Sequence, residues 1–245
     1  MSLDEWDEAA FRADGRTRTV YRRGHGPGIV LVHEIPGVTP AVVRFAEELT
    51  AAGFTVAMPS LFGTPGAAPT SARTARSVLR VCIAREFEAL ATGRTATITR
   101  WLRALAADLH AEVGGPGVGA LGMCFTGGFA LAMMVDDAVV APVVAQPSAP
   151  FAMTASMRRD LGLSPADLTL AKQRAAAGCD ILGLRFTADR LVGERFTTMR
   201  REFGPSFQAI ELAGPGHSAI TEDRDEATVQ AVIEFFRNRL NDTPR

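Results

Sequence analysis

Cys124, Asp189 and His217 lie far apart in the sequence, and they are of the types that can serve as nucleophile, acid and base. Cys124 sits in "GALGMCFTGG" (119–128), between an apolar run and a helix-like stretch. Gly122 two before it and Thr126 two after it give the pattern GxCxTGG. This is close to the GxSxG turn, where small residues let a strained strand-to-helix bend expose a nucleophile above a sheet. Thr126 carries a Cβ where that turn has its last glycine, a role that Gly127 is expected to take. A helix N-terminus directly behind the cysteine favours the thiolate. The turn alone leaves two readings open, because a free cysteine is often only a small buried apolar residue.

Chain order and strand ends select the partners. In open α/β sheets ligands gather at the carboxyl ends of the strands, and hydrolase triads of this architecture run nucleophile, acid, histidine. His25, His33 and His110 precede Cys124, and only His217 follows it, in the glycine-rich "GPGHS". Asp189 closes "CDILGLRFTAD" at its carboxyl end, whereas Asp180 opens the same run and Asp136 and Asp137 end a helix. Taken singly, a loop aspartate and a loop histidine are ordinary surface residues; order, strand end and loop type coincide only for the set.

Glu34 closes "GIVLVHE" next to a "PG" turn, where the backbone of such enzymes donates to an oxyanion hole. A carboxylate there reads as a group that tunes the thiol, as a solvated strand end, or as a salt-bridge partner, for instance of an arginine from 73–85. His33 alternates to the other face and is expected to be structural. "GVGALG" (117–122), with Asp137 downstream, also satisfies a dinucleotide fingerprint. That motif needs a strand before its first glycine and a helix after it, and here a strand follows instead.

The elements that must position these residues are parallel strands covered by helices. Short apolar runs at 28–34, 55–60, 118–124, 138–146, 179–189 and 207–212 alternate with amphipathic stretches. Ile98, Trp101, Leu102, Leu105 and Leu109 form one helical stripe within 95–112, and Val229, Val232, Ile233, Phe236 and Leu240 form another. "TRTVYRRG" (17–24) reads as an edge hairpin strand. Segments 61–93 and 147–178 exceed the minimal alternation and could overhang a pocket; Ser164 and Pro165 mark a helix start in the second.

The 245 residues suffice for one domain over 1–245, with no internal repeat or long linker. With 26 basic and 27 acidic residues, the charge balance points to neither nucleic acid nor a membrane surface as partner. Three cysteines without metal-ligand spacing argue against a disulfide framework and against a metal site. No signal-like or membrane-spanning run occurs, so a cytoplasmic protein, monomeric by default, is expected.

"LVHEIPGVTP", "ALGMCFTGG", "LRFTADRLVGERF" and "PGHSAITEDRDEA", in this order from residue 28 to 240, resemble the dienelactone hydrolase family of α/β-hydrolases. The resemblance implies a mostly parallel, doubly wound sheet and an ester or enol-lactone hydrolase without a cofactor. It carries the triad onto Cys124, Asp189 and His217, the family's first-motif glutamate onto Glu34, and the oxyanion donors onto the backbone of Ile35 and Phe125. It also implies two arginines that hold a substrate carboxylate. Arg85 matches the first; at the second position stands Thr221, and Arg224 lies about one helical turn further on. Acyl or thioester transfer by the same triad, or a hydrolase fold that binds without turnover, are the alternatives, and the full triad argues against the second.

Overall fold

The apolar runs pair into one sheet with helices on both faces. The structure, a computed structural model, describes residues 3–87 and 90–241. The strands are β1 (Asp7–Ala13), β2 (Arg16–Arg23), β3 (Gly28–Val32), β4 (Thr55–Pro59), β5 (Val118–Met123), β6 (Val139–Ala145), β7 (Ile181–Phe186) and β8 (Phe207–Leu212). The helices are α1 (Pro40–Ala51), α2 (Ser71–Ile83), α3 (Ile98–Val113), α4 (Gly127–Met133), α5 (Ala155–Arg159), α6 (Pro165–Ala176), α7 (Arg195–Phe203) and α8 (Glu226–Leu240). The strand order is β1-β2-β4-β3-β5-β6-β7-β8, antiparallel from β1 to β4 and parallel from there on.

Residue alternation explains the two layers of helices. On β3, Val30 and Val32 enter one core with Trp101, Leu102 and Leu105 of α3, while Ile29 and Leu31 enter the other with Phe45 of α1 and Phe236 of α8. Each such large side chain contributes roughly 1.5–3 kcal/mol by leaving water. Local signals start the helices. Thr39 caps α1 ahead of Pro40, Ser164 caps α6 by accepting the Asp167 N–H at 3.1 Å ahead of Pro165, and Asp225 caps α8 through the Thr228 N–H at 2.8 Å.

Two expectations change. The strand of 17–24 forms as β2, but it is not the edge. "ADGR" turns the chain at Asp14 and Gly15, both at positive φ (47° and 71°), and pairs β2 with β1, which takes the edge position. β3 ends at Val32 and β7 at Phe186, so Glu34 and Asp189 stand on the loops beyond the strands rather than in them. Among the described residues, segment 61–93 contains α2 and the 3-10 turn Arg85–Phe87, and segment 147–178 contains α5 and, from the expected start at Ser164 and Pro165, α6.

Candidate active site

Cys124 occupies the bend between β5 and α4, with φ at +52°. A non-glycine residue in the left-handed region is strained, and the packing around the bend enforces it. A Cβ on Gly122 would lie 2.2 Å from the Thr126 carbonyl oxygen, and one on Gly127 would lie 2.7 Å from the Pro147 Cα. Both glycines are therefore required for the close approach. Thr126, at the place of the motif's last glycine, is fully buried and acts as a stitch. Its hydroxyl accepts the Met123 N–H at 3.0 Å and reaches the carbonyls of Val32 and His33 at 3.0 and 3.1 Å, joining the bend to the end of β3.

His217 lies on the loop between β8 and α8, where Asp223 accepts the backbone N–H groups of His217 and Ser218 at 2.8 and 3.2 Å. Its Nδ1 bonds to Asp189 Oδ2 at 2.7 Å, and the other Asp189 oxygen accepts the Leu191 N–H at 2.9 Å. A carboxylate partner at Nδ1 fixes the ring and leaves Nε2 to face the site. Among the described residues, Nε2 is buried and has no hydrogen-bond partner. Ligand atoms of Cys124, His217 and Glu34 all lie within 4.8 Å of one another. The half-buried Cys124 Sγ pairs instead with Ser148 Oγ at 3.2 Å, and Ser148 donates its backbone N–H to the Cys124 carbonyl at 2.9 Å.

Electrostatics favour a charged imidazole. Burial opposes it, but the hydrogen bond to Asp189 and the adjacent Cys124 sulfur outweigh burial and lift the His217 pKa to about 10. Glu34 is buried, and its burial raises its pKa against the opposing pull of Thr221, Ser218, His217 and Gln146. The Ser218 hydroxyl donates to Oε2 at 2.7 Å, Gln146 Nε2 donates to Oε2 at 3.3 Å, and the Thr221 hydroxyl donates to Oε1. No arginine of 73–85 reaches Glu34, so that salt-bridge reading is replaced by a cage of neutral donors. Cysteine, histidine and glutamate are also zinc-type ligands; here both Glu34 oxygens accept hydrogen bonds from neutral side chains.

His33 is buried on the opposite side, with Nε2 accepting the Leu61 N–H at 3.0 Å and Nδ1 facing the Glu34 carbonyl at 2.9 Å. Burial lowers its pKa to about 4, so it is a neutral structural residue. Ile35 and Phe125 each stand three residues beyond the Val32–Gly122 register pair of neighbouring strands β3 and β5, which sets their backbones at the same rim. Arg85 is exposed on the 3-10 turn after α2 and is not drawn into the cluster. Arg224 pairs with Glu48 and Glu226, at 2.8 and 2.9 Å. Sequence reasoning missed Ser148 and Gln146, which follow the apolar run of β6. Gln146 carries its own signal only in the structure, as a buried non-glycine residue at φ +33°.

The dienelactone hydrolase family model matches residues 16–197. The chain belongs to the dienelactone hydrolase family. This family member is accordingly a hydrolase. Solved structures of similar fold include the dienelactone hydrolase from Anabaena variabilis, at 18% identity, 96% of this chain, 99% of that chain and TM-score 0.65. A dienelactone hydrolase-like promiscuous phosphotriesterase from metagenomic libraries matches at 16% identity, with 96% and 98% of the two chains covered and TM-score 0.64. No curated protein sequence matches the chain.

Proposed function

We propose that this family member hydrolyses small carboxylic esters or enol-lactones through a thioester on Cys124. The observation that carries the reading is the approach of a strained cysteine to an unpaired, buried His217 Nε2 whose other nitrogen is held by Asp189. A protein that only binds its ligand needs no such strain.

In this mechanism the Cys124 sulfur, its proton on His217, adds to the ester carbonyl. The N–H groups of Ile35 and Phe125 receive the developing oxyanion. The tetrahedral intermediate collapses by breaking the bond to the alcohol oxygen, which takes the proton from His217 Nε2. Acylation neutralises the sulfur and so removes part of what raised the imidazole pKa. His217 then becomes a base able to take a proton from water, which attacks the thioester and returns the sulfur to its starting state. Glu34, held by neutral donors within reach of both sulfur and imidazole, tunes the proton on that pair. Chain length fits one domain over 1–245, and a cytoplasmic monomer is part of this proposal; among the described residues no helix is long and apolar enough to cross a membrane.

An activated aryl ester is expected to give a burst followed by turnover, both lost in Cys124→Ala and after prior alkylation. Robust turnover by the Cys124→Ala protein would overturn the assignment.

A further inference from the structure

Beside the oxyanion loop the structure holds a second polar recess that the hydrolytic reading leaves unused. It is a cavity of about 390 Å³ between α2 and the loops at Pro36–Gly37 and Gly63–Thr64, a size usual for small-molecule sites. Arg73, Arg76 and Arg80 line it from one side of α2, at steps of three and four that put them on one helical face. Among the described residues no carboxylate lines the cavity, and α2 itself contains no acidic residue.

Several other arginines of this nearly neutral chain are matched to acids. Arg22 faces Asp108 and Glu112, Arg103 faces Asp167, and Arg185 and Arg200 share Glu211. Among the described residues Arg73, Arg76 and Arg80 have no ion-pair partner, and Arg73 spends one Nη1 bond of 3.0 Å on the Ala68 carbonyl. Glu86, an acid just past the helix, is taken by Arg16 and Arg18. Three exposed guanidinium groups around a cavity that no described carboxylate lines leave a local positive charge that a ligand would neutralise. One arginine fork satisfies a carboxylate; three, with the hydroxyl of Thr64 beside them, match the charge and the several acceptor oxygens of a phosphate.

The cavity borders the loop that carries Ile35. Pro36 and Gly37 directly follow Ile35, and the Ser77 hydroxyl of α2 donates to the Pro36 carbonyl at 2.8 Å, tying the arginine helix to the oxyanion loop. We propose that this cavity binds a phosphate group carried by the substrate, so that the enzyme prefers phosphorylated esters. This selectivity rests on the ester-hydrolase reading, whereas the anion site itself does not.

The test compares three esters that differ only in a distal group: a phosphate monoester, a carboxylate and a hydroxyl. The expected kcat/KM for the phosphate ester exceeds that of the other two by roughly tenfold or more, as loss of charge-assisted hydrogen bonds implies. In the double variant Arg76→Gln, Arg80→Gln the ratio falls to near one. An absent preference, an equal preference for the carboxylate, or a preference that survives the double substitution would each overturn the proposal. Calorimetric titration of inorganic phosphate and pyrophosphate into the Cys124→Ala protein separates the two readings. Saturable binding, weakened about tenfold by the arginine substitutions, supports the site even if no ester is turned over; no saturable binding overturns it.

Discussion

At Cys124 the backbone and the side-chain partners act on different parts of the same problem. The positive φ aims the side chain out of the bend, Ser148 holds its sulfur, and His217 waits with Nε2 unpaired. Glu34 is the unusual member, because its oxygens meet three neutral donors and no cation other than His217. A carboxylate so buried is kept toward its protonated form, and its charge state changes the field at the sulfur. Glu34→Gln is therefore expected to alter the pH profile of Cys124 alkylation by a thiol reagent. An unchanged profile would remove Glu34 from the thiol's control. Cys124, Asp189 and His217 were legible in the sequence because each sits at a recognisable place: a GxC turn, the loop after an apolar run, and a glycine-rich loop. The donors to Glu34 were not, since Gln146, Ser218 and Thr221 come from two loops whose meeting depends on sheet order.

The elements converge on the site through one buried cation. Arg195, at the start of α7, is fully buried, and burial works against its charge. It is satisfied by backbone carbonyls: Nε donates to Asp160 at 2.9 Å, Nη1 to Leu191 and Val192 at 3.1 and 2.9 Å, and Nη2 to Met157 at 2.9 Å and to Pro150. Pro150 lies two residues after Ser148, and Leu191 two after Asp189, so the guanidinium joins the loop facing the sulfur to the loop that orients the histidine. Arg195→Met would leave several buried carbonyls without a donor, at a cost of about 3 kcal/mol or more. Chemical denaturation is expected to show that loss together with a lower kcat; a variant of unchanged stability would contradict the role. Helix and strand cores were legible from periodicity, whereas the extra edge strand β1 was not. Its "DEAAFRA" alternates weakly and is mostly exposed, and its pairing depends on the tight turn at Asp14 and Gly15.

Over the whole molecule, the raised His217 pKa links stability to pH with a definite sign. The folded state prefers the imidazolium, so this contribution is fully present below the ordinary value of 6.5 and is lost as pH rises to about 10. The Cys179 thiol, pushed up to about 11 by burial, slopes the same way above pH 9. The difference between two proteins isolates His217: Tm is expected to fall between pH 6.5 and 10, and to fall less in Asp189→Asn, where the imidazole loses its carboxylate. Equal slopes in the two proteins would contradict the coupling. The same coupling operates in the proposed turnover, in which an imidazole that is an acid beside the free sulfur would become a base once the sulfur is acylated. The most direct test is to quench the enzyme in acid during turnover of a slow ester, digest it and weigh the peptides. The account predicts the acyl mass on the peptide containing Cys124; an acyl group on another residue, or turnover with no acylated peptide, would contradict it.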